Sequence, residues 1–150
     1  MGTEHHHLDL KFEYAQAAPP VEDFRKPFDG DYPVTCDFAC HKNRVPPSTA
    51  PGVDYATLEG TPALAVADAL VYARGQNDIA GRWVELVCHV GEAWYRITYR
   101  HLKDYVVRAG FEVLQGQVVG HTGHTGNATG PCLHIDVQRL GAFIDPEGLW

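Results

Sequence analysis

The sequence is poor in positive charge and has no long apolar segment. Lys and Arg number 12 against 19 Asp and Glu, so the formal net charge of the 150 residues is -7. The basic residues are scattered along the chain, whereas proteins that bind nucleic acid cluster Lys and Arg to neutralise phosphates. No apolar run approaches the roughly 20 residues that a membrane-spanning helix needs. We therefore expect neither a nucleic-acid partner nor a membrane span.

A secretory leader and a paired cysteine motif are also missing. Residues 1–11 contain no basic stretch followed by an apolar one, so no signal peptide is visible. The four cysteines, Cys36, Cys40, Cys88 and Cys132, form no paired Cys-x-x-Cys zinc signature. Cys36 and Cys40 are close enough in sequence to pair if the chain turns between them, but without a signal peptide free thiols are the expectation.

The composition is that of one globular domain with an N-terminal extension. Hydrophobic residues make up 45% and charged residues 21%, and the length suffices for a single core. Residues 15–20 are rich in Ala and Pro. We predict an arm over residues 1–30, with a short strand over residues 8–14, and a domain over residues 31–150. The arm either packs on the domain or docks a partner.

Alternating apolar and polar residues predict a fold made of short β-strands. Residues 82–90 alternate, Gly91-Glu92 predicts a hairpin turn, and residues 94–102 return. Short strands at close spacing, joined by glycine-containing turns, favour an all-β sandwich or barrel. The remaining predictions are a strand over residues 34–39, a proline-rich loop over residues 42–52, and a strand face shared by Tyr95, Ile97, Tyr99 and His101.

The most informative stretch is residues 120–137, where a glycine-rich turn region leads into a strand. From Cys132 onward the pattern alternates, with Cys132, His134 and Asp136 on one face and apolar residues on the other. A tight loop thus delivers a polar row that is backed by an apolar face. This arrangement predicts a site at the mouth of a sheet.

Six short motifs occur in one order along the chain. They are Gly52-Val53-Asp54-Tyr55-Ala56, Gly60-Thr61-Pro62, Tyr99-Arg100-His101-Leu102, Gly116-Gln117-Val118-Val119-Gly120, Thr122-Gly123-His124-Thr125-Gly126 and Thr129-Gly130-Pro131-Cys132-Leu133-His134. Together they resemble the lysostaphin-like zinc endopeptidases, which cut peptide cross-links of bacterial peptidoglycan. The match covers roughly residues 32–146. The resemblance implies an all-β, mainly antiparallel sheet with a groove over it, known as the duplicated hybrid motif.

The resemblance also implies a set of site residues. In that family, zinc is held by a His four residues before an Asp, by that Asp, and by the second His of a His-x-His strand. The first His of that strand and a His in a Tyr-x-His-Leu segment assist catalysis. Asp54 and His134 match the two ligand positions, and His101 matches the assisting His. Ala50 stands where the first ligand is expected, and Cys132 stands where the strand's catalytic His is expected.

These two departures leave the predicted zinc site incomplete. Catalytic zinc normally has three protein ligands and one open position, and alanine offers no lone pair. His41, upstream of the proline-rich segment, is a candidate replacement ligand. Alternatively, Cys132 is the third ligand beside Asp54 and His134, since a thiolate binds metal. As a catalytic residue in place of histidine, Cys132 needs a depressed thiol pKa to accept a proton.

Two functions follow from the resemblance. The first is a peptidoglycan endopeptidase that attacks cell-wall peptides with a zinc-bound water. The alternative is a catalytically inactive structural or binding module that keeps the peptidase fold. Residues 42–54 also resemble a branch of the family found in phages of actinobacteria. That resemblance implies a phage tail protein or lysin, with other phage structural proteins as partners, that is virion-associated or delivered outside the cell by a route other than general secretion.

Overall fold

The computed structural model describes residues 23–150, which form one ten-stranded antiparallel sheet. In chain order, the strands are β1 (Val34–Cys36), β2 (Val53–Tyr55), β3 (Pro62–Leu64), β4 (Ala69–Asn77), β5 (Gly81–Val90), β6 (Ala93–Tyr105), β7 (Glu112–Val113), β8 (Val118–Thr122), β9 (Leu133–Arg139) and β10 (Ala142–Ile144). The helical segments in this part of the chain are α1 (Phe38–Lys42) and a 3-10 turn (Pro146–Gly148). Neither has the length and apolar character that a bilayer crossing needs.

The strand order confirms the predicted all-β, antiparallel architecture. The main path is β1-β2-β9-β6-β5-β4-β7, while β10 pairs with β9 and β8 pairs with both β3 and β6. The predicted hairpin is present, because β5 and β6 are joined by a turn at Gly91-Glu92. This order places β2, β9 and β6 side by side, although they are far apart along the chain.

The core lies beneath the central strands. Ile97, Ile135 and Val137 of the neighbouring strands β6 and β9 are completely buried, as their alternation with polar residues requires. Phe28 is also buried and makes edge contacts with the rings of Tyr32 and Tyr55. The described end of the predicted arm therefore packs on the domain. The strand predicted over residues 8–14 lies outside the described residues.

The predicted strand over residues 34–39 is wrong beyond Cys36. Asp37 accepts a hydrogen bond from the backbone N–H of Cys40 (2.8 Å), and this N-cap begins helix α1. A disulfide joins Cys36 to Cys40 across the same turn. The expectation of free thiols is therefore wrong for this pair. It holds for Cys88 and Cys132, which are unpaired.

A β-bulge places His101 on a different face from the one the alternation predicts. Arg100 and His101 lie between the pairs Val84↔Tyr99 and Arg82↔Leu102, where β5 has one intervening residue, so two residues oppose one. His101 has a φ of 65°, and its N–H donates to the carbonyl of Ala80 (2.8 Å). Tyr99 therefore points into the core while His101 turns toward the groove. The prediction that Tyr99 and His101 share a face is wrong, because the alternation of apolar and polar residues does not reveal an inserted residue.

Gly52, just before β2, offers a test of how tightly β2 packs on β9. A Cβ at this position would overlap the carbonyl oxygen of Ile135 and the Cα of Asp136. We expect Gly52→Ala to lower the free energy of unfolding by about 1–3 kcal/mol, because overpacking displaces β9. Urea denaturation measures this change.

Gly130 is the matched control for that substitution. A Cβ there meets nothing within 4 Å, and its loop leads into the same strand. Gly130→Ala should change the free energy of unfolding by less than about 0.5 kcal/mol. Equal effects of the two substitutions would contradict the packing argument.

Candidate metal centre

Three polar side chains from separate segments converge beside the edge of the sheet. Asp54 of β2 and His134 of β9 are directly opposite each other in the strand pairing, and His134 Nδ1 lies 2.7 Å from Asp54 Oδ1. His41, at the end of α1, brings its Nε2 to 3.2 Å from Asp54 Oδ2. The rings of His41 and His134 meet edge to face, 4.8 Å between centroids. Two imidazoles thus contact the two oxygens of one carboxylate.

The His41 ring is oriented by the backbone of its own helix. Its Nδ1 lies 2.9 Å from the carbonyl oxygen of Asp37, so Nδ1 carries the proton and Nε2 carries the lone pair. His41 is 1% exposed, and its Nε2 makes no hydrogen bond among the described residues. An unsatisfied buried polar atom is costly. A metal ion is a suitable partner, because it accepts the lone pair of a neutral imidazole. The donor set therefore fits a zinc ion.

The His134 ring is held from both sides. Its Nε2 faces the carbonyl oxygen of Ala50 (3.0 Å) and Asp136 Oδ2 (3.1 Å), while Nδ1 faces Asp54. Burial opposes the charged ring, but hydrogen bonds to Asp136 and Asp54 outweigh it and raise the pKa of His134 to about 9. An outer carboxylate that fixes a ligand histidine is a recurring feature of zinc sites. Ala50 thus contributes a backbone oxygen where the resemblance led us to expect a ligand side chain.

Asp54 stays ionised within this cluster. Its burial would raise the carboxyl pKa, but the hydrogen bond from His134 holds the pKa well below its usual range. Arg44 adds positive charge at the rim, with Nη2 3.5 Å from Asp54 Oδ2. A permanently charged carboxylate beside two imidazoles is the ligand chemistry that zinc prefers.

Asp136 and Arg100 form a buried ion pair behind His134. Asp136 is 1% exposed, and its Oδ2 lies 2.6 Å from Arg100 Nε. A buried carboxylate requires a charged or hydrogen-bonding partner, and Arg100 supplies one. The sequence pattern predicted that Asp136 belongs to the polar row but assigned it no role, and it did not identify Arg100. The position of Arg100 directly before His101, in the Tyr-x-His-Leu segment, was the sequence feature that could have pointed to it.

His101 lies on the other side of His134, as the resemblance predicts. The two ring centroids are 6.1 Å apart. The Nδ1–H of His101 donates to the carbonyl of Thr125 (2.8 Å), which leaves the Nε2 lone pair directed away from that loop. Burial lowers the pKa of His101 below its usual value, so the ring is neutral at pH 7. The structure thereby brings Asp54, His101 and His134 together.

The two cysteines nearest the cluster differ in state. Cys132 lines the same groove, and burial together with the charge of Asp54 raises the pKa of its thiol to about 11. Cys36 is closer, since its sulfur, a nitrogen of His41 and a carboxylate oxygen of Asp54 all lie within 4.8 Å of one another. Its sulfur is nevertheless bonded to Cys40, and a disulfide sulfur is not a thiolate ligand. Cys36 therefore lies close enough to bind a metal ion but is not available as a ligand while the disulfide is intact.

A groove of about 460 Å³ opens over the cluster. His41, Asp54, His101 and His134 lie along it, and residues 127–132, from the loop before β9, form one wall. Arg44, half-exposed, lies on the wall formed by residues after α1. Its volume is in the range of sites that bind small molecules or short peptide segments. Open groove, polar floor and a single cluster of ligand atoms together describe a candidate hydrolytic site.

The ion pair between Arg100 and Asp136 can be tested by removing its positive partner. Arg100→Leu removes the guanidinium from a buried carboxylate and leaves it with His134 alone, so we expect the free energy of unfolding to fall by about 3 kcal/mol. Arg96→Leu is the matched control, because Arg96 pairs with Glu85 at 3.5 Å on a more exposed part of the same strand. That control should cost less than about 1 kcal/mol. If both variants lose the same free energy of unfolding in urea denaturation, the buried ion pair stabilises the fold no more than the exposed one.

Comparisons with known proteins identify the family of this chain. The sequence model of peptidase family M23 matches residues 48–146. The peptidoglycan DD-endopeptidase ShyC of Vibrio cholerae serotype O1 is 34% identical over 116 residues, which is 77% of this chain and 24% of ShyC. The chain therefore spans about a quarter of that relative's length.

Solved structures show the same fold. A zinc-containing peptidase from Vibrio cholerae superposes with a TM-score of 0.71 and 30% identity, over 83% of this chain and 39% of that one. Lysostaphin from Staphylococcus simulans superposes with a TM-score of 0.65 and 26% identity, over 78% of this chain and 48% of that one. His41 lies upstream of residue 48, where the family match begins.

Proposed function

We propose that this chain, which belongs to peptidase family M23, is a zinc-dependent endopeptidase domain that cuts peptide cross-links of bacterial peptidoglycan. The observation that carries the proposal is the contact of His41 and His134 with the two carboxylate oxygens of Asp54 at the floor of an open groove. Three protein ligands with one position left open is the arrangement of catalytic zinc. Relatives named as peptidoglycan endopeptidases support the substrate class.

His41 Nε2, a carboxylate oxygen of Asp54 and His134 Nδ1 would hold the metal. A zinc ion bound there supplies a Lewis acid for the scissile carbonyl and lowers the pKa of a water molecule. His41 and His134 each keep their other ring nitrogen on an acceptor, Asp37 or Asp136, so both rings are already oriented for ligation. This preorganisation compensates for the alanine at position 50.

His101 is placed to move the proton. Its Nδ1–H is committed to Thr125, so Nε2 is the atom that accepts a proton from the attacking water. The protonated ring then donates a hydrogen bond to the oxygen on which negative charge develops, or returns the proton to the leaving amine. Because the resting ring is neutral, His101 is in the correct state at pH 7 to begin this sequence.

Cys132 favours a second candidate function, an inactive binding module. A thiol is a weak hydrogen-bond donor and does not replace an imidazole as a proton acceptor. If catalysis needs both histidines of the family pattern, the site binds metal and peptide but does not turn over. We propose the enzyme first because every other element of the centre is present.

The disulfide supports delivery outside the cytoplasm. A Cys36–Cys40 cross-link persists in oxidising surroundings and is reduced in most cytosols. We propose that the protein acts on the wall from outside the cell, where peptidoglycan and oxidising conditions coincide. Association with a phage tail, and with other phage structural proteins, stays a prediction from the resemblance of residues 42–54.

Zinc content and cleavage can be measured on the same preparation. We expect one zinc per chain and the appearance of new amino groups when the loaded protein is incubated with cross-linked peptidoglycan peptides. Asp54→Ala and His134→Ala should each weaken zinc binding by more than the roughly 10–100-fold typical of losing an outer hydrogen-bond partner, and should abolish cleavage. Zinc-loaded protein that cleaves no cross-linked peptide would favour the binding module.

His121→Ala is the control for those two ligand variants. His121 pairs with Asp104 at 2.8 Å and lies outside the groove lining. Its loss should leave zinc content and cleavage unchanged. A comparable loss in this variant would show that the assay reports general damage to the fold.

Restoring an imidazole at position 132 tests how far the native site limits the rate. We expect Cys132→His to raise kcat by about 100-fold, the lower end of what a positioned acid or base contributes, with zinc affinity unchanged. Cys132→Ser, which restores no base, should leave kcat near that of the native chain. Activity that appears only in Cys132→His would mark the native protein as the inactive module, and an unchanged kcat would show that Cys132 does not limit the reaction.

A further inference from the structure

The disulfide joins the two sides of the metal centre. In the pairing of β1 with β2, Cys36 is directly opposite Asp54. Cys40 is the residue immediately before His41 on α1. The bond between the two sulfurs therefore links the strand beside one ligand to the helical turn that carries another. Apart from the backbone, no other covalent link among the described residues ties His41 to the sheet.

Helix α1 needs such a restraint because it is too short to be stable alone. It has five residues, whereas isolated helices below about 12–15 residues are marginal in water. The side chain of Asp37 accepts from Cys40 N, and its carbonyl accepts from His41 N (3.0 Å) and His41 Nδ1. The carbonyl of His41 accepts from Ser48 N (3.1 Å) in the loop that follows. These bonds shape the turn and its loop, and the contact of His41 with β2 is the one that its Nε2 makes with Asp54.

The disulfide also keeps one sulfur from binding metal. The Cys36 sulfur lies within 4.8 Å of ligand atoms of His41 and Asp54, and a free thiolate at that distance would compete for zinc. Added to the proposed set of His41, Asp54 and His134, it would be a fourth protein donor. Four protein ligands characterise a structural zinc site, which has no open position for substrate or water.

We propose that the Cys36–Cys40 disulfide is the positioning element of the metal centre, holding His41 in the ligand set and withholding the Cys36 sulfur from it. This inference rests on the proposed site of His41, Asp54 and His134. The three-ligand, open centre then belongs to the oxidised protein. Reduction by a dithiol breaks the S–S bond, places one hydrogen on each of Cys36 and Cys40, and oxidises the dithiol to its own disulfide. The protein would be assembled inactive in a reducing compartment and become active after leaving it.

The first test removes both sulfurs without leaving a thiol. We expect Cys36→Ser/Cys40→Ser to weaken zinc binding, measured by chelator competition, by about 10–100-fold. Near-UV circular dichroism of the variant should stay native, because the core does not depend on α1. Zinc affinity equal to that of the oxidised native chain would overturn the proposal.

A double-mutant cycle shows whether the disulfide acts through His41. In the disulfide-bonded protein, His41→Ala should weaken zinc binding strongly. In the Cys36→Ser/Cys40→Ser background, the same substitution should weaken zinc binding by a smaller factor, since His41 is already held less firmly in the ligand set. If His41→Ala costs the same in both backgrounds, the disulfide acts elsewhere and the proposal is wrong.

Two single variants test the withheld sulfur and serve as each other's control. Both Cys40→Ser and Cys36→Ser break the bond, but only Cys40→Ser leaves a thiol beside Asp54. With cobalt(II) as the probe, we expect a thiolate-to-metal charge-transfer band in Cys40→Ser and none in Cys36→Ser or in the oxidised native chain, which retains Cys132. Absence of the band from Cys40→Ser would overturn this half of the proposal.

The native chain separates failure of this inference from failure of the proposed function. If the oxidised native protein binds no zinc, the proposed site itself is wrong, whatever the variants do. If it binds zinc and the disulfide variants bind equally well, the site stands and the positioning role falls. Should the double serine variant not fold, native protein reduced after folding and then titrated with cobalt(II) gives the same comparison.

Discussion

The pairing of β2 with β9 is the constraint on which the candidate site depends. These strands are some 80 residues apart in sequence, yet their antiparallel register places Asp54 directly opposite His134. The contact at 2.7 Å follows from that register, since a slip of one residue would turn His134 into the apolar core. Gly52 permits the close approach of the two strands. A metal centre of this kind therefore exists only when the long-range topology is complete.

Buried charge, rather than apolar burial, determines how the side chains are arranged around that pair. A continuous series of polar contacts runs from Arg100 through Asp136, His134 and Asp54 to His41. Each side chain in the series has the next one as its hydrogen-bond or ion-pair partner. A buried polar network with some partners missing would destabilise the fold more than an apolar core would. The series ends at the unsatisfied Nε2 of His41. Every other side chain in this series has a polar partner, whereas His41 Nε2, one of two buried side-chain atoms without a hydrogen bond among the described residues, faces the carboxylate of Asp54.

The sequence predicted those parts of the fold and site that depend on local pattern or on ordered motifs. The resemblance to the lysostaphin-like endopeptidases is confirmed, and Asp54, His101 and His134 do meet. Alternation could not reveal the bulge at His101, because an inserted residue leaves the neighbouring strands unchanged. Nor could composition decide the state of Cys36 and Cys40, since their pairing depends on a turn that the N-cap Asp37 creates. Arg100 was missed because its partner lies on another strand.

In the proposed centre, a side chain from elsewhere in the fold takes the ligand position that Ala50 cannot fill. A ligand set requires a donor atom at one point, and the chain can bring it there from any element that passes nearby. Here the carbonyl of Ala50 orients His134, while the imidazole arrives on α1, outside the residues that the family match covers. A ligand on a five-residue helix is held less firmly than one on a strand, because few backbone hydrogen bonds restrain the helix. In the proposed centre, the Cys36–Cys40 disulfide adds a restraint beside His41 that the short helix itself lacks.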